Sequence, residues 1–159
     1  MTDPTNTEIA AALDQLGDLY ELDGAVIHRI VAYRNGAKAA REASTSVSQL
    51  ARDGRATELP GIGSTLQEKI LALAQTGEIP ALQKLRAKFP PGLVEMTKLP
   101  GLGPKRARRL YEELQIDSLA SLRAAAEEER IRALSGFGAF LQASRAPAHG
   151  LFAALGQAL

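Results

Sequence analysis

The chain has 159 residues, 45% of them apolar, with 19 basic and 18 acidic side chains and a net charge of +1. That suffices for one domain or two small ones, and the near-neutral balance excludes inferring a polyanionic partner from bulk charge. Cysteine is absent and His28 and His149 are the two histidines, which excludes disulfides, thiol catalysis and a zinc site of ordinary ligand spacing. No stretch approaches the roughly 18 to 20 apolar residues of a membrane span, and no basic start runs into an apolar segment, so the expectation is a cytoplasmic chain with no membrane partner.

Ile9, Leu13, Leu16 and Tyr20 recur at helical spacing and predict a first amphipathic helix. After the break at Asp23-Gly24, Ile27, Ile30, Val31 and Ala37 predict a second. A short third helix, Ser46 to Arg52, stops at Asp53-Gly54. Leu59-Pro60-Gly61-Ile62-Gly63 then reads as a tight glycine hairpin, and Leu66, Ile70, Leu73 and Ala74 form the stripe of the helix leaving it, as far as Thr76-Gly77. Another helix runs from about Pro80 to Phe89. Pro90-Pro91-Gly92 interrupts the pattern and marks the expected domain boundary.

The second half opens with a short helix, Leu93 to Lys98, and a second hairpin, Leu99-Pro100-Gly101-Leu102-Gly103. Pro104 suits a first helical position, where its missing donor is not needed, and Ala107, Leu110, Tyr111 and Leu114 form the expected buried stripe. Asp117 and Ser118 are placed to cap the next helix, to about Ala126, and Glu128 to Leu134 leads into a third, weaker copy, Leu134-Ser135-Gly136-Phe137-Gly138. No segment reads as a strand. The expectation is an all-α fold of two small helical domains built around helix-hairpin-helix units: 1–89 with the first hairpin, 90–146 with the second and third, and an apolar tail at 147–159. From Ala139 to Leu159 only Arg145 is charged, a composition open to a covering helix, a partner surface or an aberrant terminus.

Paired glycines at such a corner leave the backbone amides uncovered, and the following helix begins with unpaired N–H groups and a partial positive charge. Loop and helix start together form an anion site suited to a phosphodiester backbone, which carries no base sequence. Gly61, Gly63, Gly101 and Gly103 are therefore the candidate DNA-binding glycines. A monovalent cation, Na+ or K+, bridging hairpin carbonyls to phosphate is compatible with this geometry, and no other cofactor or side-chain metal site is expected. Lys98, Lys105, Arg106, Arg108 and Arg109 add positive charge between positions 98 and 109 with no acid among them. The last four, off the apolar stripe, are candidate DNA contacts.

The run His28-Arg29-Ile30-Val31-Ala32-Tyr33-Arg34, the first hairpin followed by Glu68-Lys69-Ile70, and Phe89-Pro90-Pro91-Gly92-Leu93 ahead of the second hairpin closely resemble the amino-terminal region of bacterial family X DNA polymerases. The resemblance covers about residues 8 to 138. It implies a small lyase-type helical domain, then a helix-hairpin-helix domain gripping the primer side of gapped DNA, in base excision repair or gap filling. In lyase-competent relatives a lysine after the first hairpin forms a Schiff base with the abasic sugar aldehyde, and Lys69 falls on that position. A lysine nucleophile needs its neutral amine, which burial or nearby cations favour. The resemblance also places Glu68 beside the nucleophile and His28, Arg29 and Tyr33 in the sugar-phosphate pocket.

The chain departs from the family where further basic residues are expected around the hairpin and after its helix: Thr57, Thr65, Pro80 and Ala81 stand there. It also ends before the palm domain with paired aspartates, so no polymerase or exonuclease activity is expected of it alone. The leading reading is sequence-independent binding of gapped, nicked or abasic DNA, with the nucleoid as its place of work. Two alternatives stay open: a 5′-deoxyribose-phosphate or abasic-site lyase centred on Lys69, and a helical interaction scaffold taking a protein or the missing palm domain at the apolar tail.

Overall fold

A computed structural model describes residues 2–99 and 101–127. The fold is all-α. The described helices are α1 (Asn6–Leu22), α2 (Ile27–Glu42), α3 (Val47–Arg52), α4 (Ser64–Thr76), α5 (Pro80–Lys88), α6 (Pro91–Met96), α7 (Gly103–Leu114) and α8 (Leu119–Glu127), with a 3-10 turn at Ala56–Glu58. The contacts divide the chain into two compact units, one as far as Ala87 and one from Lys88 on.

In the first unit a capping box starts α1. The Thr5 hydroxyl accepts from the Glu8 amide at 3.1 Å, and the Glu8 carboxylate accepts from the Thr5 amide at 3.1 Å. Helix α1 buries Ile9, Leu13, Leu16, Leu19 and Leu22, and α2 buries Ile30, Tyr33, Gly36, Ala37 and Ala40. The small residues of α2 let the two axes approach closely. Ile27 and Val31, read as part of the apolar stripe, are instead 63% and 43% exposed, because the buried face turns through Ile30, Tyr33 and Ala37 and leaves them outside it.

Polar ties fix the connections. The Asn6 amide donates to the carbonyls of Thr45 at 2.8 Å and Ala43 at 3.4 Å, and its oxygen accepts from the Val47 amide at 2.9 Å, which pins the α2–α3 loop. Arg52 joins Asp3 at 2.6 Å and donates to the Ala74 carbonyl at 3.0 Å. Arg34 of α2 meets three carboxylates of α1: Asp18 at 2.6 Å, Glu21 at 3.3 Å and Asp14 at 3.9 Å. Burial pushes the Asp18 carboxyl above its usual range even with Arg34 beside it.

In the second unit, helix α6 starts two residues before the position read from the sequence. Pro91 occupies the first turn, where its fixed φ suits a helix and its missing N–H costs nothing. Gly92 permits a close approach to the α7–α8 loop: a Cβ there would lie 2.5 Å from the Asp117 carbonyl oxygen and 2.9 Å from the Ser118 Cα. The core holds Leu93, Met96, Leu102, Ala107, Leu110, Ile116, Leu122 and Ala125.

Tyr111, expected in the buried stripe, is 38% exposed, and Leu114 is half-buried. The chain reverses at Gln115 in the left-handed region, φ 56°, with the Gln115 amide on Tyr111 O and the Ile116 amide on Leu110 O. That turn delivers Ile116 to the core instead. Ser118, as expected, caps α8 by accepting from the Ser121 amide at 3.1 Å. Its partner is the Ser121 hydroxyl, which takes the amides of Asp117 and Ser118, while the Asp117 side chain makes no such cap. The third hairpin and the apolar tail lie outside the described residues. Among the described residues no helix is long and apolar enough to cross a membrane.

Candidate nucleic-acid interface

The first hairpin is a turn closed by the Ile62 amide on the Leu59 carbonyl at 3.1 Å and anchored by Ile62, which is buried. Gly61 has φ +97°, a conformation that L side chains rarely adopt. It also sits against α2, where a Cβ would lie 3.2 Å from the Asn35 carbonyl oxygen and 3.5 Å from the Ala39 Cβ. Gly36 completes the seat: a Cβ on it would meet Leu66 Cδ1 at 2.5 Å. Helix α2 is therefore the back wall that holds the hairpin in place.

Gly63 serves the hairpin differently from Gly61. Its φ of −92° and ψ of −176° are extended and open to any residue, and nothing lies within 4 Å of a Cβ built there. What its lack of a side chain provides is open space in front of α4. No side chain caps α4, and Gly63, Ser64 and Thr65 are exposed, so the first amides of a 13-residue helix face solvent.

The second hairpin repeats the turn, with the Leu102 amide on the Leu99 carbonyl at 3.1 Å and Leu102 buried as Ile62 is. Here both glycines are left-handed, Gly101 at φ 81° and Gly103 at φ 73°. Pro100 lies outside the described residues. The Arg106 guanidinium folds back and donates to the Gly101 carbonyl at 3.0 Å, so an ion at that oxygen would compete with it.

The basic run beside this hairpin is less uniform in space than in sequence. Lys98 pairs with Glu95 at 3.2 Å, Arg108 with Glu112 at 2.9 Å and Arg109 with Glu113 at 3.2 Å. Residues three and four apart share a helix face, so acids flanking the run return to it. These exposed pairs are individually weak and open readily to a competing phosphate. Lys105 is exposed and has no carboxylate within ion-pair distance among the described residues. Acids outnumber bases up to Ala87, and bases outnumber acids from Lys88 on.

Lys69 lies half-buried on α4, without a carboxylate at ion-pair distance among the described residues, and Glu68 is exposed. His28 and Arg29 are exposed in the first turn of α2. The Arg29 guanidinium lies 5.2 Å from the centroid of the Tyr20 ring, which stacks on Tyr33 at 5.1 Å. Tyr33 is only 5% exposed, and burial foremost pushes its hydroxyl above the usual tyrosine range. Its place is the packing between α1 and α2. Thr57, Thr65 and Pro80 are exposed and Ala81 is half-buried; the Thr57 amide donates to Gln67 Oε1 at 3.2 Å.

A cleft of about 430 Å³ between α1 and the α4–α5 corner, lined by Glu8, Gln15, Leu73, Glu78, Leu82 and Arg86 among others, holds none of the expected site residues. Among the described residues no group of three or more His, Cys, Asp or Glu is arranged to hold a metal ion. Sequence reading missed Gly36 as the seat of the hairpin. The signal was present, since a glycine inside a helix is costly unless something must come close.

Residues 4–79 match the family described as the helix-hairpin-helix domain, and residues 93–139 match the SAM-like helix-hairpin-helix tandem. Each match contains one of the two described hairpins. Over 131 residues, 82% of the chain, the sequence is 32% identical to the DNA polymerase/3'-5' exonuclease PolX of Bacillus subtilis (strain 168), of which the match covers 22%. The chain thus spans about a fifth of the length of that curated relative.

Proposed function

We propose that this chain, with its two helix-hairpin-helix matches and its 32% identity over 131 residues to a DNA polymerase/3'-5' exonuclease PolX, holds DNA by its backbone at gaps, nicks or abasic sites during repair. The observation that carries the reading is the unobstructed, uncapped start of α4 behind Gly63, with a second glycine hairpin of the same turn in the second unit. Phosphate oxygens accept from those first amides, and Lys105 with the basic face of α7 adds charge. Such contacts carry no base sequence, so binding is sequence-independent. A Na+ or K+ ion at the hairpin carbonyls is part of this proposal, as is work beside the nucleoid with a polymerase palm domain.

Gly63 provides the test, because a leucine there fits the backbone and stands in the path of the phosphate. Gly63→Leu should lower affinity for gapped duplex while the thermal melt stays near wild type. Undiminished binding in that variant would overturn the reading.

A second reading is supported by Lys69, which lies half-buried on the helix leaving the first hairpin with no carboxylate at ion-pair distance among the described residues. The amine would add to the abasic C1′ aldehyde and lose water to form an imine; loss of the C2′ proton to water would then break the C3′–O bond, the departing strand end would keep the phosphate, and hydrolysis of the unsaturated imine would free the amine. Borohydride reduces that imine to a stable adduct. Trapping that disappears in Lys69→Ala supports this activity; trapping that survives rejects Lys69 as the sole nucleophile.

A further inference from the structure

The two hairpins share a turn but not the groups around it. Counted from the paired glycines, Gly63-Ser64-Thr65-Leu66 at the start of α4 corresponds to Gly103-Pro104-Lys105-Arg106 at the start of α7. Where Ser64 brings a backbone amide, Pro104 has none, so the second hairpin offers phosphate one donor fewer. Charge is divided in the opposite sense. From Ala56 to Glu68 the chain carries Glu58 and Glu68 and no lysine or arginine, whereas Lys98 to Arg109 holds five bases and no acid. Arg55, just ahead of the first stretch, is paired with Glu58 at 3.1 Å. The second hairpin therefore has fixed positive charge where the first has backbone donors.

Arg106 adds a specific contact to that charge, its guanidinium donating to the Gly101 carbonyl at 3.0 Å. The residue in the same place after the first hairpin is Leu66, which is buried and has no donor. There the Gly61 carbonyl oxygen faces α2 instead, 3.6 Å from where a Cβ on Gly36 would stand. A carbonyl oxygen that accepts from a guanidinium has committed a lone pair and lies beside a full positive charge, and an alkali ion at that oxygen is opposed by both. A Na+ or K+ ion therefore does not fit the Gly101 carbonyl while Arg106 is on it.

We infer that Arg106 is the second hairpin's own cation: its guanidinium holds the place at the Gly101 carbonyl that Na+ or K+ would take, and this hairpin grips phosphate without a bound ion. The inference rests on the DNA reading of the hairpins and confines the alkali ion of that reading to the first of them. The two hairpins then hold the same backbone by different means, amides with an exchangeable ion at the first and fixed charge at the second. A guanidinium carried on the chain is present whatever ions the solution holds, so the grip of the second hairpin is indifferent to their identity.

The test compares the full chain with Arg106→Ala for binding to gapped duplex by fluorescence anisotropy, in KCl and in tetramethylammonium chloride at equal ionic strength. Tetramethylammonium is too large to sit among carbonyl oxygens. Arg106 is exposed, and circular dichroism checks that the variant folds. The variant opens the Gly101 carbonyl to an ion, so its affinity should fall roughly tenfold below wild type in tetramethylammonium and return to within about threefold of it in KCl. Thallium(I), a K+ stand-in followed by its NMR line width in nitrate buffer, should broaden more on the DNA complex of the variant than on that of wild type. A loss by the same factor in both salts makes Arg106 a plain phosphate contact and overturns the inference while the DNA reading stands, and so does no loss in either. Equal thallium broadening overturns it as well. If wild type binds gapped duplex in neither salt, the DNA reading falls and takes this inference with it.

Discussion

Gly61 and Gly63 are equivalent in the motif but not in the fold, so alanine at each should have opposite consequences. At Gly61, φ is +97°, a region where an L-residue costs about 1 to 2 kcal/mol. Its Cβ would also lie 3.2 Å from the Asn35 carbonyl oxygen, which belongs to the α2 backbone and cannot turn aside. A destabilisation of about 2 to 3 kcal/mol follows. At Gly63 the backbone is extended and the space is open, so alanine restricts chiefly the unfolded chain and is neutral or stabilising by up to about 1 kcal/mol. In a domain of this size 1 kcal/mol moves the melting temperature by roughly 4 to 8 °C. Calorimetry of the full chain should show Gly61→Ala melting at least about 8 °C lower and Gly63→Ala at or slightly above wild type. Equal losses in the two variants, or a Gly61→Ala transition unmoved, would refute the seating of Gly61 against α2.

Gly92→Ala should destabilise the second unit by about 2 to 3 kcal/mol, because its Cβ would meet the Asp117 and Ser118 backbone at 2.5 and 2.9 Å; a urea midpoint within error of wild type would contradict that approach. Asn6→Ala removes all three ties to the α2–α3 loop and should cost about 1 to 3 kcal/mol, read in the same assay. Glu112→Gln releases Arg108 from its carboxylate and should tighten DNA binding at low salt and steepen the salt slope, whereas weaker binding would mean that the α7 basic face is not a contact. Asp18 is protonated more readily in the folded chain than its ordinary 3.8, chiefly through burial. Its contribution is therefore present below that value and lost as pH rises through the folded one, and the stability of Asp18→Asn relative to wild type should grow from about pH 3 to about pH 7. Urea midpoints across that range give the sign directly, and a shrinking difference would reverse it.

Much of the molecule was legible in one dimension because its elements are local. Helical periodicity located α1, α2, α4 and α7, and the glycine hairpins announced themselves by repetition. The errors lie where periodicity is ambiguous about the buried face. Ile27 and Val31 are apolar and correctly spaced, yet the small residues Gly36, Ala37 and Ala40 decide which side of α2 meets α1. Tyr111 is displaced from the second core by Ile116, which a left-handed Gln115 swings inward. Likewise, the basic run at 98–109 reads as one sign until Glu95, Glu112 and Glu113 return to it a helical turn away.

The amino-acid order alone determined the helix-hairpin-helix units and their kinship, because turn chemistry, capping and 3.6-residue periodicity act over a few neighbouring residues. The tertiary structure alone decided what each glycine is for. Gly61 is required by a positive φ and a neighbouring helix, Gly36 and Gly92 by close backbone or side-chain approach, and Gly63 only by the space in front of α4. These roles depend on contacts between residues far apart in the chain, and a side chain that is missing leaves no mark in the sequence of what it makes room for.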